Sequence, residues 1–296
     1  MQNLLIGKPQ FQEQNALLAS RIEKLGFLIA QHRGAYHANL SENTIPAFIA
    51  SLQLGADMLE LDVAQALDGG LFCFHDGMER RLLHRLIPIN ASFSHTVKRL
   101  RYYNGIGQRS DYKVNTIEEV LKAFCSEEIS DKSPLIAIDR AWNHLDRLLP
   151  LMKKYPQTLS QCIVKGFVRD GTLAKLSKSD IKPMFLPIVT KRAEVDKVLT
   201  FDNLNLAGIE VLFKEQNSEF FSDAFIKEMH DRNLFVWVNA ICLGDSPRNN
   251  KASNLTDDLA ITSSPDASWG VLAKKRYDII QTDWPALLSN YRKTLQ

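Results

Sequence analysis

The chain has 296 residues, of which 45% are hydrophobic and 24% charged, with a formal net charge of +2. This composition supports a large buried core and excludes a disordered or low-complexity chain. A charge so near neutral gives no signal for nucleic acid or a membrane surface, and no apolar run is long enough for a membrane span.

The first residues, Met1 to Gly26, mix polar and apolar side chains and lack a basic start followed by an apolar block. No signal peptide is expected, and a cytoplasmic location is the default. Within this stretch, Asn3–Leu25 reads as one helix. After it, short apolar runs alternate with amphipathic stretches, the pattern of repeated β-α units. Eight core strands are expected: Phe27–Gln31, Met58–Val63, Leu135–Asp139, Gln161–Lys165, Met184–Val189, Ala207–Leu212, Phe235–Asn239 and Asp278–Gln281. Helices are expected over Thr44–Leu54, Ile117–Ser126, His144–Lys154, Gly171–Ser177, Arg192–Leu199, Ser222–Arg232, Ala267–Lys274 and Pro285–Lys293.

Several of these strands are dense in Ile, Val and Leu, as strands covered on both faces should be. Eight units predict an α/β fold, a single (β/α)₈ barrel over residues 1–296, with the N-terminal helix of residues 1–26 plugging or flanking one end. An open doubly wound sheet would more often carry a Gly-rich turn after the first strand, and here that turn is His32-Arg33-Gly34. Two stretches interrupt the rhythm: an insertion at 76–115, rich in Arg, His and aromatics, and a polar loop from Cys242 to Ser264. Both would sit on the C-terminal face of the barrel, where loops build sites. The four cysteines form no CxxC pair and read as buried free thiols.

The chemistry concentrates early. Gln31-His32-Arg33-Gly34 ends the first strand, with a proton carrier beside a guanidinium that fits phosphate oxygens. Glu42-Asn43-Thr44 precedes a helix, where Asn43 and Thr44 read as caps and Glu42 as a further acid. In Leu59-Glu60-Leu61-Asp62-Val63, the two acids are two residues apart and so share one side of a strand. Two carboxylates buried together repel, and a divalent cation with oxygen preference, Mg²⁺ or Ca²⁺, removes that cost; the other reading pairs each acid with a Lys or Arg. Beyond a turn at Asp68-Gly69-Gly70, Leu71–Asp76 returns His75 over the same place.

These four motifs, HisArgGly at 32–34, GluAsnThr at 42–44, GluLeuAspVal at 60–63 and HisAsp at 75–76, lie within 45 residues, in an order and spacing that resemble the glycerophosphodiester phosphodiesterase family. The close match covers about the first third of the chain, and Ile280-Gln281-Thr282-Asp283 agrees near the end. The resemblance implies a TIM barrel that hydrolyses a small-molecule phosphodiester. It implies Glu60 and Asp62 as metal ligands, Glu42 at or near the metal, Arg33 on phosphate, and His32 and His75 as the acid–base pair. The order within that pair is open in the sequence, and His32 as base with His75 as acid is the expectation taken.

The family usually ends its third strand with Glu-x-Lys, whereas here Ile138-Asp139-Arg140-Ala141 stands there. By the resemblance, Asp139 is expected as the third ligand, and either Arg140 or Lys165 is expected to supply the positive charge that the lysine would. Glu210 and Trp237 are expected to reach the mouth, Glu210 to contact substrate or to approach Lys165, and Trp237 to contact substrate or, equally, to pack in the core; Asn239 is placed beside them. Asp257 and Asp258 read as solvated loop acids, and Arg80, Arg81 and His84 as a solvated face. Two other readings stay open: a phospholipase D-like lyase on lysophospholipids or sphingolipids, and a barrel that binds phosphodiesters without turnover. No nucleic-acid partner is expected, and the oligomeric state is not legible.

Overall fold

The computed structural model describes residues 4–36, 39–104, 106–125, 127–128, 130, 132–242 and 251–296. Eight parallel strands close on themselves. They are β1 (Leu28–Gln31), β2 (Met58–Gln65), β6 (Leu135–Asp139), β7 (Cys162–Phe167), β8 (Met184–Val189), β9 (Gly208–Val211), β10 (Phe235–Asn239) and β11 (Ile279–Thr282). Each pairs with the next, and β1 pairs with both β11 and β2, which closes the TIM barrel. Every expected core strand is present, most within one or two residues of its expected ends.

Side-chain alternation divides the barrel into two environments. Outward residues such as Ile29, Leu61, Ile138, Val164, Ile209 and Val238 pack against the surrounding helices. Inward residues near the strand starts are apolar: Leu28, Met58, Leu135, Ile163, Met184 and Phe235 form one cluster. Helix α1 (Ala16–Leu25) contributes Leu18, Ala19 and Ile22 to that cluster, so it plugs the N-terminal end. The single helix expected over Asn3–Leu25 is shorter. Leu4 to Ile6 have no regular structure, and Gly7 at φ +81° and a 3₁₀ turn at Pro9–Phe11 follow, because Pro9 has no amide hydrogen and Gly7 leaves the helical region. Residues 1–3 lie outside the described residues.

Helix α2 (Ile45–Gln53) starts where Thr44 accepts a hydrogen bond from the Ala47 amide and Pro46 occupies the first turn. It packs so closely on the first βα turn that a Cβ on Gly34 would lie 2.9 Å from Ala47 Cβ. Gly34 also has φ +81°, so both conformation and space require glycine there.

Beyond the barrel rim β2 continues and pairs antiparallel with β3 (Leu71–Cys73), the expected hairpin that brings back His75. The insertion then builds helix α3 (Glu79–Leu83) and a ribbon of β4 (Arg101–Tyr103) and β5 (Arg109–Lys113). Leu82, Ile89, Val97 and Tyr102 pack on Ala64, Phe72 and Phe74, giving the insertion its own apolar core against the hairpin. Among the described residues, no helix is long and apolar enough to cross a membrane.

Asp57, one residue before β2, ties the chain ends to the sheet. It accepts from the Ile29 amide at 2.8 Å and from Arg292 Nη2 at 3.2 Å, while Arg292 also donates to Phe27 O at 2.7 Å. Both side chains are largely buried. Asp57→Ala leaves the guanidinium uncompensated and is expected to lower unfolding free energy by about 3 kcal/mol, measured by urea denaturation.

Candidate active site

Along the inward positions, polarity rises toward the strand ends. Met58 is followed by Glu60 and Asp62, Leu135 and Ala137 by Asp139, Ile163 by Lys165, and Trp237 by Asn239. These polar residues, with His32, Arg33, His75, Arg140 and Glu210, line one cavity of about 210 Å³ at the C-terminal mouth.

Glu60 and Asp62 are 1% and 3% exposed, which makes their charge the dominant local problem. Burial, then the Asp62 charge, raises the Glu60 pKa. Burial also works to raise Asp62, but Arg33, His75 and His32 outweigh it and hold that carboxyl low. Arg33 supplies the nearest cation, with Nε 2.9 Å from Asp62 Oδ2, and its amide donates to Glu60 Oε2 at 3.0 Å. That amide points correctly because Arg33 adopts φ +54°. Carboxylate oxygens of Glu60, Asp62 and Asp139 all lie within 4.8 Å of one another. Three hard oxygen donors, one of them with its pKa raised by burial and the neighbouring charge, fit a divalent cation.

The two histidines flank this group in different settings. His32 Nδ1 lies 3.0 Å from Asp283 Oδ1, which leaves Nε2 for the cavity that the ring lines. Burial works to lower the His32 pKa, but the hydrogen bond and charge of Asp283, then the charge of Glu60, raise it overall. His75 Nδ1 donates to the Asp76 carbonyl at 2.8 Å. Burial lowers its pKa, and the Asp62 charge only partly opposes this.

Lys165 is buried, with Nζ 3.1 Å from both Asp139 Oδ2 and Glu210 Oε2 and 5.0 Å from the Trp237 ring centre. Burial works to lower its pKa, but Asp139 and Glu210 raise it. The expected approach of Glu210 to Lys165 is therefore present, and Asn239 Nδ2 holds the other Glu210 oxygen at 2.8 Å. Arg140 adopts φ +61° at the rim, with Nη2 3.8 Å from Asp76 Oδ2 and Nε without a hydrogen-bond partner.

Several expected placements change. Glu42 stands apart from the three gathered acids: Arg33 Nη1 donates to one of its oxygens at 3.1 Å and Arg81 Nη2 to the other at 2.7 Å, so its charge is spent on guanidinium groups. Arg81 is thus not merely part of a solvated face. Trp237 is fully buried beneath Lys165 in the barrel core, where its Nε1 donates to Asn239 Oδ1, and it does not line the cavity. Asp258 is exposed as expected, whereas Asp257 is buried and accepts from Trp269 Nε1, Thr282 Oγ1 and the Asp283 amide, each at 2.8 Å. Burial pushes its pKa up to about 7. Asp257 thereby holds the strand end that carries Asp283 to His32. Of the expected polar loop from Cys242 to Ser264, residues 243–250 lie outside the described residues, and Asp257–Thr262 forms a helix capped by Thr256.

Asn43 does more than the capping expected of it. Thr44 caps α2, while Asn43 Nδ2 donates to Asp62 Oδ2 at 2.9 Å and Asn43 Oδ1 accepts from the Asp62 amide at 3.0 Å. No local pattern distinguishes it from a cap, because its partner is 19 positions away. Asp283 had a usable signal, since it lies two residues beyond the inward Gln281. Trp142 and Phe167 were not singled out by any motif. Their rings meet edge to face at 5.1 Å and, with Ile188, Leu212 and Ile241, form an apolar arc of the cavity wall.

A closed parallel barrel with three carboxylates, two histidines and an arginine at its C-terminal mouth defines a TIM barrel with a candidate phosphate and cation site. A family profile described as a domain of unknown function matches residues 185–292. A curated glycerophosphodiester phosphodiesterase of Caldanaerobacter subterraneus is 49% identical over 49 residues, 17% of this chain, and the match spans about a fifth of that protein's length (20%). Solved structures with this fold include a glycerophosphoryl diester phosphodiesterase of Parabacteroides distasonis, at TM-score 0.72 and 16% identity over 99% of this chain and 94% of that one. A glycerophosphodiester phosphodiesterase of Thermotoga maritima matches at TM-score 0.62 and 20% identity, covering 90% and 98%. A phosphodiesterase of Oleispira antarctica, solved with its product sn-glycerol-3-phosphate, matches at TM-score 0.62 and 17% identity, covering 89% and 95%.

Asn43→Ala removes both bonds to Asp62 in a buried setting. A loss of about 2 kcal/mol is expected from thermal or urea unfolding, with the larger part from the unsatisfied Asp62 groups.

Proposed function

We propose that this protein is a phosphodiesterase that hydrolyses glycerophosphodiesters to glycerol 3-phosphate and an alcohol. The observation that carries the reading is the meeting of three carboxylates, Arg33 and two oppositely tuned histidines on one cavity. The partial identity to a protein named for that activity, and a neighbour of the same fold holding glycerol 3-phosphate, support the choice of substrate.

Glu60, Asp62 and Asp139 would hold a divalent cation, Mg²⁺ or Ca²⁺, which supplies charge to stabilise the non-bridging oxygens of the diester. Arg33 offers a second positive group on the same side, kept in place by Glu42 and Asp62. Of the two replacements for the family's lysine, Arg140 is favoured for phosphate. Lys165 is engaged by two carboxylates and buried, whereas Arg140 lines the cavity with an unpartnered Nε.

The electrostatics favour the reverse of the acid–base order taken from the sequence. A general base must be neutral at working pH, and burial holds His75 that way while Asp76 O fixes its proton on Nδ1. A general acid must be protonated, and Asp283 favours the imidazolium of His32. His75 would thus take the proton from the attacking hydroxyl, and His32 would protonate the leaving alcohol. Glu42 acts as a positioning residue for Arg33, and Trp237 as the support beneath Lys165.

A second reading keeps the site and changes the nucleophile. The apolar arc around Trp142 and Phe167 could seat a lipid chain, and a neighbouring hydroxyl of the substrate would then attack to give a cyclic phosphate. Phosphorus NMR of the products separates cyclic from open phosphate.

His32→Ala and His75→Ala are each expected to lower kcat at least about a hundredfold with glycerophosphodiesters. Near-wild-type turnover in both would sink the assignment. Activity should rise with pH as His75 loses its proton and fall as His32 does, so the acidic limb of the profile belongs to His75. Added Mg²⁺ or Ca²⁺ should raise the Tm of the wild type, and less so at low pH, because the raised pKa of Glu60 makes the ion compete with a proton. The same titration on Asp62→Ala should show no rise, and a rise equal to wild type would remove these acids from the cation site.

A further inference from the structure

The five most exposed large hydrophobic side chains among the described residues all lie in or beside the insertion: Leu86 at 85%, Ile106 at 78%, Leu67 at 60%, Ile87 at 54% and Phe93 at 51%. A soluble surface scatters such residues singly, and their concentration in one stretch of the chain calls for a partner. They stand on a framework that holds them outward. The Leu67 amide donates to Ser92 O at 2.9 Å, which seats Leu67 beside Phe93. His84 stacks on Tyr103 at 3.8 Å, which brings the turn bearing Leu86 and Ile87 against the β4–β5 ribbon. At the tip of that ribbon, Asn104 Oδ1 accepts from the amides of Ile106 and Gln108.

Charge identifies the partner. Residues 76–115 hold eight Lys and Arg against three Asp and Glu, a net +5, so the rest of the chain carries −3 of the overall +2. The near-neutral total therefore conceals a polarised molecule. Two of these cations are already paired, Arg81 with Glu42 and Arg101 with Asp111. Arg80, Lys98, Arg99, Arg109 and Lys113 are exposed and take part in no ion pair among the described residues. Exposed aliphatic side chains and free cations carried together by one segment match an interface with an apolar layer beneath a negative one.

We propose that the insertion docks this protein on an anionic lipid bilayer, with Leu86, Ile87 and Ile106 entering the headgroup layer and the free cations meeting lipid phosphates. Arg81 joins the insertion to the cavity through Glu42 and Arg33, so docking would set the mouth near the membrane surface. The surface argument does not depend on the reaction assigned to the cavity.

The test is co-sedimentation of the full chain with vesicles of phosphatidylcholine alone and of phosphatidylcholine mixed with phosphatidylglycerol. Binding is expected only to the mixed vesicles, falling at least about tenfold when salt is raised enough to screen surface charge. Leu86→Ser/Ile106→Ser and Lys98→Gln/Arg99→Gln should each weaken binding at least about tenfold without moving the thermal unfolding curve, since these side chains pack on little. Equal binding to both vesicle types, no binding to either, or unchanged binding of both variants would overturn the proposal. So would concentration-dependent self-association on gel filtration without vesicle binding, which would make the patch a contact between protein copies. All of these readouts are independent of turnover, so an inactive protein that still binds vesicles would count against the proposed reaction and not against the docking.

Discussion

The structure turns on placing two carboxylates, Glu60 and Asp62, inside a closed sheet. Burial makes both charges costly, and everything within reach is arranged around that cost. Arg33 approaches Asp62 from the first βα turn, Asn43 grips its amide and its oxygen, and Asp139 and Lys165 complete the next layer of alternating charge. The left-handed backbone at Arg33, Asn43 and Arg140 follows from the same demand. Each of these residues turns sharply so that a backbone amide or a side chain can face an acid, and such conformations persist only where surrounding contacts determine them.

A second tier holds this first one. Asp283 braces His32, and Asp257 braces the backbone at Asp283. Glu42 braces Arg33 and is itself held by Arg81 from the insertion. The insertion is therefore not an appendage. One of its side chains, Arg81, reaches Arg33 through the single carboxylate of Glu42, and its own small core presses on the hairpin that delivers His75.

Much of the barrel was legible because its signals are local. Runs of β-branched and aliphatic residues separated by amphipathic stretches mark each unit, and the strands Leu135–Asp139, Met184–Val189 and Phe235–Asn239 fall where the pattern puts them. The acid pair was legible for the same reason, since a spacing of two on a strand fixes a common side. The N-terminal helix is shorter than its sequence pattern predicts, because Pro9 and Gly7 interrupt an otherwise helical spacing. The place of Glu42 at or near the metal comes with the resemblance, and the sequence leaves Trp237 equally open to core or substrate; what each touches is decided by residues far away in sequence, Arg81 in one case and Lys165 in the other. Asp257 was read as solvated because its neighbours are polar, yet Trp269 and Thr282 close over it.

The sequence by itself thus determined the repeated units, the sharing of one face by Glu60 and Asp62, and the clustering of His32, Arg33 and His75 near them. The shared face follows from strand periodicity and the return of His75 from a short hairpin, while the place of His32 and Arg33 beside the acids is what the family resemblance implies. Only the tertiary structure decided which cations neutralise which acids, that Lys165 is held by two carboxylates while Arg140 keeps an unpartnered Nε, and that the two histidines are tuned in opposite directions. Those outcomes depend on burial and on partners brought together by barrel closure, and neither quantity is carried by any single stretch of the chain.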